Sequence, residues 1–227
     1  MEAWMLRIES KWWKIQEGER CECEVRIVVG ITGASGVIYG IRLLDFLKNA
    51  ETFLIISENA KQVIEIETGY DLKEIEAKAT HVFANNDFTA PVCSGSFLFE
   101  GAIIAPCSMK TLGNIANGIS STLIERVAEV CLKENRRLVL VTRETPLSEI
   151  HLENMLRVRR AGAVVMPACP AFYNKPRSVL DLVDFVVARA LDAFGIHLNT
   201  KRWGEQKEKQ QEQERKSGED AWAQEVE

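Results

Sequence analysis

The sequence lacks several features that mark large classes of proteins. None of its apolar runs is long enough to cross a membrane, and residues 1–20 lack the apolar core of a secretory signal peptide. The net charge is −5, so there is no basic excess that would attract nucleic acid. We therefore expect a cytoplasmic protein whose partners are neither membranes nor nucleic acids.

Patterns that bind metal ions are also scarce. The 3 histidines form no ligand motif, and Cys21 and Cys23 have no second cysteine pair at a spacing typical of zinc sites. There is no Asp-rich pair of the kind that holds magnesium on a diphosphate. The 6 cysteines, without a secretion signal, are typical of free thiols in a reducing compartment. We predict no metal site, with half a site at Cys21 and Cys23 as the alternative.

What the chain does contain is a regular alternation of short apolar runs and helical patterns. The runs predict buried parallel strands at 25–31, 52–57, 101–105, 138–141 and 163–166, with a weaker strand at 81–83. The helical patterns lie at 37–48, 58–68, 108–117, 122–134, 148–161 and 178–194. This order predicts an α/β fold with a doubly wound, mainly parallel sheet in a single domain at 25–203. Residues 1–24 are then an amino-terminal appendage, and residues 204–227 a polar, charged tail.

A glycine-rich turn, Gly33-Ala34-Ser35-Gly36, follows the first predicted strand and leads directly into a helix. Such a turn directs backbone N–H groups and the positive end of the helix dipole at one point, which favours a phosphate. Ordinary turn chemistry is the alternative. A dinucleotide site, with Glu58 near the position of a ribose-binding acid, is less favoured because the spacing departs from Gly-x-Gly-x-x-Gly.

Polar residues also follow the strand at 101–105. We expect Pro106 to end this strand, Ser108 to cap the next helix, and Lys110 to contact an oxyanion. A helix cap with a solvated lysine is the alternative. The neighbouring Cys107 has no histidine close to it in sequence, so a buried thiol is favoured over a nucleophile.

The later strand ends supply further groups for anions and protons. Arg143 can bind a phosphate and Glu144 can move a proton, unless the two form a structural ion pair. Tyr173 suits a pocket wall, and Arg189 interrupts an apolar helical stripe, where a buried guanidinium needs a carboxylate or a ligand phosphate. Together these groups predict a site for at least two phosphates with a proton-transfer carboxylate.

The same loops, taken as a set, resemble those of one enzyme family. The segments that carry the resemblance are Gly33-Ala34-Ser35-Gly36, Ser94-Gly95-Ser96, Pro106-Cys107-Ser108 with Lys110-Thr111, Ile124-Glu125-Arg126, Leu132-Lys133-Glu134, Val141-Thr142-Arg143-Glu144-Thr145-Pro146, His151-Leu152-Glu153-Asn154-Met155-Leu156, Pro170-Ala171-Phe172-Tyr173 and Arg202-Trp203. From about Val25 to Trp203, the chain is similar to the UbiX-type flavin prenyltransferases, once described as aromatic-acid decarboxylases.

This resemblance implies a Rossmann-like flavoprotein that transfers a dimethylallyl group from dimethylallyl phosphate to reduced FMN, at flavin N5 and C6. The product, prenylated FMN, would serve a UbiD-type decarboxylase, and a homo-oligomer is implied because relatives assemble into dodecamers. The residues implied to hold FMN are Gly33, Ala34, Ser35, Ser57, Ser108, Met109, Lys110, Thr111 and Arg143. Those implied to hold the prenyl phosphate are Lys133, Tyr173 and Arg189. Ser35 and Glu144 would assist proton movement as catalytic residues, with Arg126 nearby.

One position departs from the pattern of the family. Many relatives carry Trp after an Asn-Asp pair, whereas Phe88 follows Asn86-Asp87 here, and a phenyl face attracts a cation less than an indole does. Two other functions stay open. One is an FMN-dependent decarboxylase of the related cysteine-decarboxylase flavoproteins, whose Pro-x-Met-Asn motif is missing here. The other is a non-catalytic FMN carrier.

Overall fold

The computed structural model describes residues 25–200 and 202–204. The predicted appendage at 1–24, with Cys21 and Cys23, and the predicted tail after Gly204 lie outside the described residues. Within the described part of the chain, no helix is both long and apolar enough to cross a membrane.

One parallel sheet organises the molecule. Its strands are β1 (Arg26–Ile31), β2 (Glu51–Ile56), β3 (His81–Ala84), β4 (Gly101–Cys107), β5 (Arg137–Thr142) and β6 (Val164–Pro167). They lie in the order β3-β2-β1-β4-β5-β6, and every neighbouring pair is parallel. The predicted α/β fold is therefore confirmed. The order reverses between β1 and β4, which makes the carboxyl ends of these two strands the expected place for a ligand.

Helices cover both faces of the sheet. They are α1 (Ile38–Phe46), α2 (Glu58–Glu67), α3 (Leu72–Glu76), α4 (Met109–Ala116), α5 (Leu123–Lys133), α6 (Glu149–Arg160) and α7 (Val179–Asp192). Because side chains alternate along a strand, Ile27 and Val29 of β1 face α1, α2, α3 and α7, whereas Val28 faces α4, α5 and α6. Burial of two apolar layers, one on each face, fixes which helices share a side.

The sequence patterns place the larger elements within two residues of their ends. Ser108, Thr122, Ser148 and Ser178 are N-caps whose side chains accept a backbone N–H from the first turn of α4, α5, α6 and α7.

The expectation that Pro106 ends its strand is wrong, because β4 continues to Cys107. The pairing of β4 with β5 shifts between Ile104 and Cys107, so a residue without an N–H is tolerated there.

Candidate functional site

A polar cavity of about 460 Å³ lies at the carboxyl edge of the sheet, where the strand order reverses. Residues that follow four neighbouring strands line it, together with the start of α5: Thr32, Gly33, Ser57, Glu58, Asn59, Asn85, Asn86, Ser108, Lys110, Thr111, Ser121, Thr122, Ile124 and Glu125. Of the residues predicted to hold FMN, this lining includes Gly33, Ser57, Ser108, Lys110 and Thr111.

Thr32 fastens the two strand ends on either side of the reversal. Its hydroxyl donates to the carbonyl oxygen of Pro106 at 2.7 Å and accepts the N–H of Ser108 at 2.8 Å. The residue is only 2% exposed, so its hydroxyl is shielded from bulk water. The loop after β1 and the first turn of α4 are thereby held as one unit.

Two helices point their amino ends at the cavity. Ser57 caps α2 by accepting the N–H of Ala60 at 3.2 Å, and Ser108 caps α4 by accepting the N–H of Thr111 at 3.3 Å. Gly33 allows the loop after β1 to approach α2, since a Cβ at this position would fall 2.5 Å from the Cβ of Asn59. Helix amino ends with unused N–H groups attract anions, so this wall of the cavity suits a phosphate.

The lining also contains groups to which the sequence patterns assigned no role. Glu125 is 3% exposed, and its carboxylate accepts hydrogen bonds from Asn114 Nδ2 at 2.6 Å and from Ser121 Oγ at 2.7 Å. Asn85 caps the start of α5, because its Oδ1 accepts the N–H of Ile124 at 3.2 Å. Elsewhere in the chain, polar residues directly after a strand indicated the candidate site, and Asn85 directly follows β3. Because β3 is short and its apolar pattern is weak, the sequence alone does not single out Asn85.

Two cations at this edge of the sheet have no acidic partner among the described residues. Lys110, in the first turn of α4, and Arg143, directly after β5, form no hydrogen bond or ion pair with them through their side chains. The alternative of an Arg143–Glu144 ion pair is therefore not what the structure contains. Glu144 is exposed, and its Oε1 accepts only the N–H of Thr145, at 2.9 Å. Arg143 lies close enough to Tyr39 to lower the pKa of that phenol, although burial outweighs this effect and raises it.

The other residues predicted for this site lie around the cavity or point away from it. Ala34 and Ser35 belong to the loop after β1 but do not line the cavity, and Met109 packs against the apolar core on the α4 side. Near Ser35, the N–H of Gly36 donates to Glu67 Oε2 at 2.8 Å, a carboxylate that the sequence analysis missed. Cys107 is buried, and this burial raises the pKa of its thiol to about 12, as expected for a thiol that is not a nucleophile.

A second cavity, of about 260 Å³, brings together Tyr173 and Arg189 with Asp192, Arg202 and Trp203. The expectation of a buried guanidinium at Arg189 is wrong, since this side chain is 56% exposed. Arg189 Nη1 donates to Asp192 Oδ2 at 2.8 Å, so its anion in this structure is a carboxylate. The rings of Tyr173 and Trp203 meet edge to face, with their centroids 5.2 Å apart.

Lys133 and Arg126 lie on the other face of the sheet from this second cavity. Lys133 ends α5, pairs with Glu134 and lies beside Gly95, where an added Cβ would fall 2.6 Å from its Nζ. Arg126 donates to the carbonyl oxygen of Cys93 at 3.2 Å and to Glu129 at 2.9 Å. A single chain therefore does not bring Lys133 together with Tyr173 and Arg189. Within the described residues, no three His, Cys, Asp or Glu side chains are grouped as metal ligands would be.

The fold and the cavity define a Rossmann-like protein with a polar cavity, suited to a phosphate, at the reversal of its sheet. The model of the Flavoprotein family matches residues 15–191. The flavin prenyltransferase UbiX of Methanocaldococcus jannaschii is 53% identical over 182 residues, which are 79% of this chain and 99% of that protein.

Two solved structures are similar over the same region. The crystal structure of AnUbiX (PadA1) in complex with FMN and dimethylallyl pyrophosphate is 52% identical, with a TM-score of 0.79, over 80% of this chain and 98% of that one. A dodecameric FMN-dependent UbiX-like decarboxylase from Escherichia coli O157:H7 is 48% identical, with a TM-score of 0.77, over 79% of this chain and 99% of that one. The chain belongs to the UbiX-type flavin prenyltransferases, within the Flavoprotein family.

Proposed function

We propose that this chain is a flavin prenyltransferase, which transfers a dimethylallyl group from dimethylallyl phosphate to reduced FMN. The observation that carries the proposal is the 52% identity, over nearly the whole of that chain, to a structure with FMN and dimethylallyl pyrophosphate bound. Reduced FMN supplies the nucleophilic N5 and C6 atoms that receive the prenyl group. The product, prenylated FMN, would serve a UbiD-type decarboxylase.

The polar cavity is the site proposed for FMN. Its lining fits a phosphorylated group with a polar ring edge, because Ser57, Ser108 and Thr111 supply hydroxyls beside two helix amino ends. Lys110 and Arg143 add positive charge that no described carboxylate neutralises. Gly33 lies in this lining, and Ala34 and Ser35 would contact FMN from beside it in the same loop. Met109 would act from the same turn as Lys110.

The second cavity is the site proposed for the prenyl phosphate. Tyr173 and Arg189 would hold the leaving phosphate and stabilise the charge that develops on it. The aromatic faces of Tyr173 and Trp203 suit an allyl cation. Fixed cations of this kind can supply the charge stabilisation that magnesium supplies in other prenyltransferases, so we expect transfer without a metal.

A second copy of the chain would complete this site with Lys133. Lys133 and Arg189 occupy opposite faces of the sheet, so neighbouring copies can bring them together where one copy does not. The dodecameric relative supports a homo-oligomer, and so do the exposed apolar side chains Leu152 and Leu156, which lie four residues apart on one face of α6. Arg126, close to Lys133, would belong to the same half of the site.

Proton movement is assigned to side chains at the carboxyl edge. Glu144 is exposed and beside Arg143, so its carboxylate is free to accept a proton at Oε2 while Oε1 holds the N–H of Thr145. Ser35 would carry a proton through its hydroxyl. The described cysteines, Cys93, Cys107, Cys131 and Cys169, are all free, which supports a reducing compartment such as the cytoplasm.

The test is an anaerobic incubation of the purified protein with FMN, dithionite and dimethylallyl mono- or diphosphate, with EDTA in one arm and magnesium in another. We expect a bound flavin heavier by one prenyl unit in both arms, and the better donor identifies the substrate. Because a relative is described as a decarboxylase, release of CO₂ from aromatic acids is measured in parallel. CO₂ without a heavier flavin would indicate a decarboxylase, and bound FMN with neither product a carrier.

A further inference from the structure

Three side chains meet at the carboxylate of Asp192, the last residue of α7. Arg202 forms a pair of hydrogen bonds, from Nη2 to Oδ1 at 2.7 Å and from Nη1 to Oδ2 at 3.0 Å. Arg189 Nη1 reaches Oδ2 at 2.8 Å, and His197 Nδ1 lies 2.9 Å from Oδ1. Asp192 therefore connects a helical residue of the second cavity to the segment that follows the helix.

The carboxylate is largely buried, with 13% of the side chain exposed, whereas Arg189 is mostly accessible. The hydrogen bonds from Arg202, assisted by His197 and by the charge of Arg189, hold the pKa of Asp192 well below its usual range. Asp192 is therefore ionised at neutral pH. One carboxylate against two guanidinium groups leaves a net positive charge at the cavity, which favours an anionic ligand.

Arg202 also fixes the position of its neighbour Trp203. The Trp203 ring lies edge to face with Tyr173, at an interplanar angle of 85°, and both rings line the second cavity. The paired hydrogen bonds of Arg202 to Asp192 help to anchor this part of the segment to α7.

We propose that Asp192 is a positioning residue for the prenyl phosphate, acting through Arg189 and through Arg202. It holds Arg189 at the cavity while no substrate is bound, and it keeps Trp203 against Tyr173. On binding, Arg189 keeps its Nη1 hydrogen bond to Asp192 Oδ2 and donates to the phosphate from its remaining N–H groups. Arg202 keeps the same carboxylate paired as well, so no buried charge is left alone, which would be costly. The inference rests on the proposed function.

Two measurements test this positioning role on the FMN-loaded protein. Titration calorimetry with dimethylallyl monophosphate and oxidised FMN measures binding without turnover, and steady-state assays with reduced FMN separate KM from kcat. In Asp192→Asn we expect Kd and KM to rise about tenfold, the factor for one charge-assisted hydrogen bond, with kcat within about twofold of wild type. Asp192→Glu, which keeps the charge, should recover part of the loss. The double variant Asp192→Asn with Arg202→Ala should bind no more weakly than Asp192→Asn, because the two residues act as a unit.

Asp184→Asn is the matched control, since Asp184 also lies on α7 and forms a two-bond pair with an arginine, Arg42. We expect it to leave Kd and KM unchanged. If wild type neither binds the prenyl phosphate nor prenylates FMN, the proposed function fails. If wild type does both and Asp192→Asn matches it in Kd and KM, or if both aspartate variants lose binding equally, the positioning role is wrong. Should Asp192→Asn not fold, Arg202→Lys replaces it in the test, because it keeps the positive charge but loses the pair of hydrogen bonds. We expect the same rise in Kd and KM from this variant.

Discussion

At the scale of single residues, the proposed proton transfer depends on two side chains with few structural contacts. Among the described residues, Ser35, which is only partly buried, makes no side-chain hydrogen bond, and the Glu144 carboxylate makes one, with the N–H of Thr145. Ser35→Ala and Glu144→Gln therefore leave the lining of the polar cavity unchanged. We expect FMN affinity to be kept and the rate of prenyl transfer to fall by about 10²–10⁴, the usual contribution of an acid or base.

The measurement is the rate of prenylated-flavin formation under saturating substrate, with FMN affinity determined by titration. Glu65→Gln, an exposed carboxylate on α2, is the control for the loss of one negative charge and should transfer at the wild-type rate. Wild-type rates in both Ser35→Ala and Glu144→Gln would show that the proton roles belong to other groups. Glu67 is one candidate, because it accepts the N–H of Gly36, next to Ser35.

At the scale of elements, the junction between β1 and α4 depends on the Thr32 hydroxyl. Thr32→Val keeps the shape of the side chain but leaves the part-buried N–H of Ser108 without its acceptor. We expect a loss of about 1–3 kcal/mol in the free energy of unfolding, and weaker FMN binding because the cavity wall loosens. Chemical denaturation and flavin titration measure the two effects.

Thr52→Val is the matched control for this junction. Thr52 is equally buried and accepts the N–H of Thr80 at 3.0 Å, but it lies near the amino end of β2, away from the cavity. It should lower stability without changing FMN affinity. Equal effects of the two substitutions on FMN affinity would contradict a specific role for Thr32 in shaping the cavity.

The same scale shows what the sequence could and could not predict. Buried strands and capped helices could be predicted, because hydrophobic periodicity and N-cap residues such as Ser108 and Ser178 are local features of the sequence. The exposure of Arg189 could not be predicted, because it depends on which side of α7 packs against the sheet. The buried side contains Val183, Val186, Val187 and Ala190, and Arg189 lies outside it. Asn85 and Glu125 were missed because their place at the cavity follows from strand order, which is a long-range property.

At the scale of the whole molecule, the groups proposed for the prenyl phosphate are divided between the two faces of the sheet. α5 carries Lys133 on one face, and α7 carries Arg189 on the other. The two faces of the sheet do not approach each other within one chain. Only contact between copies can therefore bring Lys133 close to Arg189. An interface of this kind joins different surfaces of neighbouring copies, as in closed rings.

Mixed oligomers test this division directly. Lys133→Ala and Arg189→Ala should each abolish most prenyl transfer, yet their co-assembly should restore it, because some sites receive Lys133 from one copy and Arg189 from another. Random mixing in equal amounts gives both intact groups to about a quarter of the sites, so we expect about a quarter of the wild-type rate. Tyr173→Ala mixed with Arg189→Ala is the control, since Tyr173 and Arg189 line one cavity of one chain and every site keeps a defect. No recovery in the first mixture would mean that each chain builds its own phosphate site, and recovery in the control would mean that Tyr173 and Arg189 serve different sites.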